Sequence, residues 1–245
     1  MKQWVLAGAL LALGTAAAAA QELVIIESTV PGLAAGAQLA AGKAVTVPDK
    51  AKLVVLAASG QMLTLTGPYQ GVPGAGASGG DSRVMTAIAS LVRSGQRESG
   101  SVGAVCVADV PWRRETARSL DDVLALDATG GGDTCLFDPA KAQIVRKPQT
   151  VVGAVTVHAM DSGQSAAVAF PPGAVRVPWP ATLPIEDGDN FVFEEVGQPT
   201  AATVTVRLLP GDKAGNDLER VAMLAEAGCE DQARLLLGLM ATAAK

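Results

Sequence analysis

The sequence predicts a mainly β protein in which a small β module is followed by a β-sandwich-like domain and a few helices, including a C-terminal helical hairpin. Between Leu53 and Tyr69, two apolar runs flank the turn signal Ser59-Gly60, which is the pattern of a β-hairpin. Between residues 143 and 209, apolar runs of about five residues recur at spacings of about ten, which is typical of a sandwich. From residue 216 onward, apolar residues recur at helical spacing.

Residues 1–20 have the pattern of a secretory signal peptide. Lys2 precedes an apolar run from Trp4 to Leu13, and five alanines then lead to a cleavage site after Ala20. The run is shorter than the roughly 20 apolar residues that span a bilayer, so a retained anchor is the less favoured alternative. We expect a periplasmic or secreted protein with no transmembrane segment after cleavage.

Composition restricts the partners that can be expected. Hydrophobic residues make up 49% of the chain and aromatic residues only 3%, so Val and Leu must fill most of the core. The net charge is -5, whereas a nucleic-acid partner requires clustered Lys and Arg. The basic and aromatic cluster Trp112-Arg113-Arg114 is too small to change that expectation, and no nucleic-acid partner is predicted.

Residues 21–70 are predicted to form the β module. A first strand covers the run ELVIIE, a second ends in the turn after Val47, and the hairpin follows. Gly67-Pro68 ends the last strand, because proline cannot donate a hydrogen bond to a β-ladder.

The order of turn signals in this module is itself informative. An Ala-Gly pair precedes Leu39, Gly42 and a Val-x-Val-Pro turn, and the hairpin with Gly60 is followed by Leu-Thr-Gly-Pro. This order resembles the FecR-like β module of exported bacterial proteins, in a variant found in uncharacterised periplasmic proteins. The resemblance implies a β fold and a bacterial envelope location. Signal-transmitting members carry a membrane segment and a cytoplasmic arm; we expect neither here, so regulation of a sigma factor is not implied.

Residues 71–100 are predicted to be a Gly-rich linker followed by a helix over 83–93, capped by Asp81 or Ser82. The glycines from Gly74 to Gly79 also fit a dinucleotide-binding fingerprint. That motif requires a strand before it and repeated strand-helix units after it, and Pro73 interrupts the approach. The linker is therefore the favoured interpretation, and no cofactor is expected.

Residues 101–211 are predicted to be the sandwich, and residues 212–245 the helical hairpin. Pro111 ends the first strand, a short helix or turn covers 119–126, and the glycines from Gly130 to Gly132 form a loop. Trp179 is expected to be an anchor whose indole nitrogen has a partner. The strands are predicted at 102–110, 143–146, 150–160, 166–170, 175–178, 190–194 and 203–209.

The hairpin has clear end signals. Asn216 and Glu219 have the spacing of a capping box, Gly228 ends the first helix, and Glu230-Asp231 begin the second. We expect its apolar faces to cover the sandwich. A docking surface for another protein is the alternative.

Three cysteines remain after signal cleavage, and export favours a disulfide. Cys106 lies in an apolar run and is expected to be a small buried hydrophobic residue. Cys135 and Cys229 follow loops, which are easier to bridge. This favours Cys135 with Cys229, although all three pairings remain open from the residues alone. The segments around Cys135 and Cys229 also resemble the FecR-like variant group, which implies the same pairing.

No catalytic or metal-binding residue is assigned from the sequence. His158 is the only histidine, and Asp161 and Ser162 are neighbours in sequence without a Gly-x-Ser-x-Gly elbow, so a strand histidine is the favoured interpretation. Glu194 and Glu195 point to opposite faces of a strand and cannot flank one bond. Zinc patterns are absent, and a weak calcium site is less favoured than a hydrated turn at Glu186, Asp187 and Asp189.

The leading functional hypothesis is a non-catalytic binding or scaffolding protein of the cell envelope, with a protein or glycan partner. One alternative is a hydrolase that uses carboxylates gathered by the fold, drawn from Asp133, Asp138, Asp161, Glu186 and Asp189. Another is an envelope sensor, for which an apolar patch exposed on residues 217–243 would be the evidence.

Overall fold

A computed structural model describes residues 22–40, 42–73, 81–99, 117, 119–147, 153–195 and 201–243. These residues form fourteen strands in four sheets and four α-helices, two of them C-terminal. The protein is therefore mainly β, as the sequence predicts. The predicted signal peptide, most of the glycine linker, the strand at 102–110 with Cys106, and the Trp112 cluster lie outside the described residues.

The strands and helices have the following bounds. The strands are β1 Leu23–Ser28, β2 Gln38–Leu39, β3 Val45–Val47, β4 Lys52–Ala57, β5 Met62–Thr66, β6 Tyr69–Gly71, β7 Leu126–Asp127, β8 Gly132–Leu136, β9 Gln143–Val145, β10 Gly153–Ala159, β11 Ser165–Phe170, β12 Arg176–Pro178, β13 Asn190–Glu195 and β14 Ala202–Leu208. The helices are α1 Ser82–Ser99, α2 Leu120–Val123, α3 Asp217–Glu226 and α4 Glu230–Ala243.

The first β region is a four-stranded antiparallel sheet in the order β2-β1-β4-β5, accompanied by the pair β3-β6. The hairpin β4-β5 turns at Gly60, whose φ of 85° is readily adopted by glycine. Gly67-Pro68 ends β5 as expected. The chain then pairs again as β6, which crosses the predicted end of the module at residue 70, because β3 offers it a partner distant in sequence.

The second β region packs a five-stranded sheet, β11-β10-β13-β14-β8, against a three-stranded sheet, β12-β9-β7. One apolar core joins the two sheets, with Phe191, Val204 and Ile144 among its fully buried members. Trp179 lies at the rim of this core. Its indole nitrogen donates a hydrogen bond to the Leu183 carbonyl at 2.6 Å. The centres of the Trp179 and Phe191 rings lie 4.7 Å apart in an edge-to-face arrangement. The predicted anchor therefore has its predicted partner.

The prediction that Gly130 to Gly132 form a loop is wrong at Gly132, where β8 begins. Gly132 begins a strand that pairs in parallel with β14. Gly131 has a φ of 67°, and a Cβ there would lie 2.6 Å from the Thr203 carbonyl oxygen. The glycines therefore bring the chain close to β14.

The helical hairpin begins and ends where the sequence indicates. The Asn216 side chain accepts a hydrogen bond from the Glu219 N–H at 2.9 Å, and Gly228, with a φ of 86°, follows α3. The buried leucines of the hairpin belong to the core of the first β region, together with Ile88 of α1 and Leu53 of β4. The hairpin therefore packs on α1 as well as meeting the sandwich at Cys135, which corrects the expectation that it only covers the sandwich. None of the described helices is long and apolar enough to cross a membrane.

Candidate functional site

A disulfide joins the hairpin to the sandwich. The sulfur atoms of Cys135 and Cys229 lie 2.08 Å apart, and both residues are buried. This is the pairing that the sequence favours, but the expected loop position of Cys135 is wrong, because the residue lies in β8. Alternation along β8 directs Leu136 into the sandwich core and Cys135 into the core formed with the helices.

Gln232 of α4 closes the edge of β8 beside this disulfide. Its side-chain oxygen accepts from the Cys135 N–H at 2.7 Å, and its side-chain nitrogen donates to the Cys135 carbonyl at 3.1 Å. The same nitrogen donates to the Val123 carbonyl at 3.1 Å. A buried amide thus pairs with the backbone of β8 as a neighbouring strand would.

The Arg83 groove is the second feature: we use this name for two adjoining cavities between α1 and the hairpin that share Arg83 and Glu226. The Arg83 guanidinium donates to Glu226 through Nε at 2.9 Å and through Nη2 at 2.5 Å. The Arg83 side chain is 76% exposed and the Glu226 side chain 35%. A bidentate ion pair therefore lies on the surface between the cavities.

The two cavities differ in their linings. The first, of about 460 Å³, has the hydroxyls of Ser82, Thr86 and Ser90 along α1. The second, of about 590 Å³, has Lys213 and Met223 in its lining. Both are within the size range of ligand-binding clefts, and the groove offers hydroxyls and charges of both signs beside short apolar side chains.

Hydrogen bonds and one ion pair hold the ends of the groove in place. Asp81 accepts from the Arg83 N–H at 2.8 Å at the start of α1. Glu230 lines the first cavity and accepts from Arg234 at 2.5 Å and from Ser94 at 3.0 Å. Arg234 is almost fully buried, so this wall of the groove is anchored in the core.

The Arg83 guanidinium carries a permanent charge. The hydrogen bonds to Glu226, and then the attraction of its charge, raise the pKa of Arg83 above the ordinary value. An arginine is protonated at every physiological pH even without such help. The ion pair is therefore present throughout that range, and a ligand carboxylate would compete with Glu226 for the guanidinium.

His158, Asp161 and Ser162 do not assemble as a catalytic triad. His158 lies on the outer face of β10, with its Nε2 atom 3.4 Å from the Glu194 carboxylate. Ser162 accepts from the Gln164 N–H at 3.3 Å, and Asp161 accepts from the Asn190 N–H at 3.3 Å. The last two side chains therefore satisfy backbone N–H groups, one of them within the turn and the other at the start of β13.

The five carboxylates considered for hydrolysis are not gathered in the groove, because none of them lines either cavity. Asp133 pairs with Arg207 at 3.2 Å, and Asp138 accepts from the Ala140 N–H at 3.0 Å. Asp189 accepts from the Glu186 N–H at 2.7 Å. Across the part of the chain that the structure describes, no group of three His, Cys, Asp or Glu side chains could hold a metal ion.

Glu194 and Glu195 lie on opposite faces of β13, as the strand pattern predicts. The Glu195 carboxylate is buried and accepts from Arg146 Nη1 at 2.8 Å, whereas Glu194 is exposed. The sequence does not identify Arg146, which is fully buried and lies 4.5 Å from the centre of the Phe170 ring. An unbroken apolar run around Arg146 would have indicated its burial, but no such run exists.

The large hydrophobic residues that are exposed within the described ranges are Val72 and Met160. Neither belongs to the hairpin, so the described hairpin residues offer no apolar patch of the kind expected for the sensor alternative.

No family model, no curated protein and no solved structure matches the chain.

Proposed function

We propose that the protein is an exported, non-catalytic binding or scaffolding protein of the bacterial cell envelope, of FecR-like type, which holds a protein or glycan partner at the Arg83 groove. The observation that carries the proposal is the groove itself, a cleft whose polar groups include one exposed bidentate ion pair.

Two observations support export. The sequence begins with a signal-peptide pattern, and the Cys135–Cys229 pair lies at disulfide distance in the interior of the fold. Disulfides persist in oxidising compartments such as the bacterial periplasm and are rare in the cytosol. The proposed location is therefore the periplasm or the extracellular space, where the disulfide would persist.

The environments of the polar residues support binding rather than catalysis. A catalytic acid or nucleophile needs a neighbour that activates it within reach of a bound substrate. Here Asp161, Asp189 and Ser162 accept hydrogen bonds from backbone N–H groups, and Asp133 faces Arg207. The groove instead combines hydroxyls with a fixed charge pair, which suits the recognition of a polar ligand.

Site-specific crosslinking tests the proposed site. A photo-crosslinking amino acid replaces Thr86 in the groove or Thr203 on the outer face of β14; both are exposed threonines. We expect irradiated cells to give one defined adduct from position 86 and none from position 203. Mass spectrometry of the adduct, with and without glycosidase treatment, distinguishes a protein partner from a glycan.

Two results would overturn the proposal. Equal adducts from both positions, or none from either, would remove the groove as the binding site. Turnover by the purified mature protein, residues 21–245, in a broad hydrolase screen would favour the enzyme alternative. Loss of that turnover in Asp133→Asn, Asp138→Asn, Asp161→Asn, Glu186→Gln or Asp189→Asn would then locate the chemistry.

A further inference from the structure

Strand β11 is the outermost strand of the five-stranded sheet at the end opposite to β8. It pairs with β10 in an unbroken antiparallel register from Ser165 to Phe170, without a bulge. No described residue pairs with its other side. The outer backbone of a six-residue strand is therefore available for pairing.

The register fixes which backbone groups point outward. The Ala159 N–H donates to the Gln164 carbonyl at 2.9 Å, which identifies residues 159 and 164 as a hydrogen-bonded pair. Hydrogen-bonded and non-hydrogen-bonded pairs alternate along an antiparallel ladder. The N–H and carbonyl groups of Ser165, Ala167 and Ala169 therefore point away from β10; we call these residues the β11 edge.

Within the described ranges, the β11 edge has none of the usual protections against strand pairing. Natural sheet edges are commonly blocked by a charged side chain, a proline, a bulge or a covering element. Residues 162–175 contain no charged side chain, and the prolines come only after Phe170. Ser165, Ala167 and Ala169 are exposed and small, so a second backbone can approach without moving them.

We propose that the β11 edge is a homodimer interface, in which β11 of a second copy pairs with it in antiparallel orientation. With the two-fold axis at Ala167, this residue faces Ala167 of the second copy, and Ser165 faces Ala169 in both directions. All three outward residues then form hydrogen-bonded pairs, for a total of about six bonds. Registers centred on residue 166 or 168 form only about four.

The side chains are compatible with this register. Ser165, Ala167 and Ala169 meet one another on the outer face, and Ala166 meets Val168 on the inner face, so no like charges face each other. Another uncharged edge is β5, but Met62 is among its outward residues, whereas the β11 edge has only Ser and Ala. The interface is separate from the Arg83 groove and does not depend on the proposed function.

Sedimentation of the mature protein from low to high micromolar concentration tests the inference. We expect a reversible monomer–dimer equilibrium, because one strand edge is a small interface. Ala167→Pro removes an outward donor from each copy and should weaken association about tenfold. Thr64→Pro makes the corresponding change at the centre of β5 and should leave association unchanged.

A charge pair tests the register directly. Ala167→Lys and Ala167→Glu each place like charges opposite one another across the two-fold axis and should weaken association about fivefold, whereas an equal mixture should associate at least as tightly as wild type. Thr203→Lys adds the same charge to β14, away from the edge, and should have no effect. Circular dichroism establishes that each variant is folded.

The inference is overturned if the wild type remains monomeric throughout the concentration range. It is also overturned if Thr64→Pro abolishes association while Ala167→Pro does not, or if the Lys and Glu variants fail to associate when mixed. Should Ala167→Pro not fold, the charge variants decide the question, because they leave the backbone unchanged.

Discussion

The two edge strands of the five-stranded sheet differ in what contacts their outer backbone. The β8 edge is closed from the side by the amide of Gln232 and by the disulfide from Cys229. The β11 edge has no strand partner among the described residues, and β11 is supported on its inner face, where Phe170 packs on the guanidinium of Arg146. A side chain that bonds the edge backbone occupies its hydrogen-bonding groups, whereas packing against the inner face of a strand leaves those groups available.

This difference follows from the position of each strand in the fold. Leu136 of β8 faces the sandwich core and Cys135 faces the core shared with the helices, so β8 connects the two. The inward residues of β11, such as Phe170, reach only the sandwich core. A strand that joins two cores must be fixed on both sides, whereas a peripheral strand can present its edge to a partner.

The largest effect is expected from removing the cross-link at β8. In the double variant Cys135→Ser with Cys229→Ser, the free energy of unfolding should fall by about 4–5 kcal/mol. The physical reason is that the bond closes a loop with a sequence separation of 94 residues in the unfolded chain. Urea unfolding followed by circular dichroism measures the change.

Reduction of the wild type provides the control for that experiment. Dithiothreitol should lower the urea midpoint of the wild type toward that of the double variant and leave the double variant unchanged. A loss below about 1 kcal/mol would mean that contacts such as those of Gln232 close the β8 edge without the disulfide.

The next effect concerns the support beneath β11. Arg146→Ala should lower the free energy of unfolding by about 3–4 kcal/mol, because it removes the guanidinium that faces the buried Glu195 carboxylate. The double variant Arg146→Met with Glu195→Leu should recover most of this loss, since apolar residues of similar volume avoid the cost of burying charge. Equal losses in the single and double variants would show that Arg146 acts through packing on Phe170 alone.

A smaller effect is expected when the same substitution, Gln to Met, is made at each of the two sheet edges. Gln232→Met keeps the length of the side chain but leaves the buried Cys135 backbone groups without their partner, and should cost about 2–3 kcal/mol. Gln164→Met, beside the β11 edge, changes an exposed residue and should cost less than about 0.5 kcal/mol. Similar losses at both positions in urea unfolding would contradict the distinction between a closed and an open edge.

Local sequence patterns predict much of the fold and little of what distinguishes the edges. The hairpin around Gly60 and the cap at Asn216 depend on neighbouring residues, and the sequence predicts both. Strand β8 forms because β14 is available as a partner, which no pattern near the glycine run reveals. The burial of Arg146 likewise depends on Glu195, 49 residues away.

The groove shows the same limit for the candidate site. Arg83 and Glu226 lie on or beside helices that the sequence predicts, but they are 143 residues apart. Their pairing depends on how α1 packs against the hairpin, which the apolar periodicity of either helix does not specify. Neighbouring loops in the sequence and a resemblance both favour the disulfide, although Cys135 itself lies in a strand.

The smallest effect is expected from the charge pair on the face of β8. Asp133 and Arg207 lie 3.2 Å apart and both side chains are about half exposed, so Arg207→Ala should change the free energy of unfolding by less than about 0.5 kcal/mol. Adding salt to the wild type should have an equally small effect, because water already screens the pair. A loss above about 1.5 kcal/mol in urea unfolding would mean that this pair helps to hold β8 against β14. The closure of β8 would then extend beyond Gln232 and the disulfide, onto the outer face of the sheet.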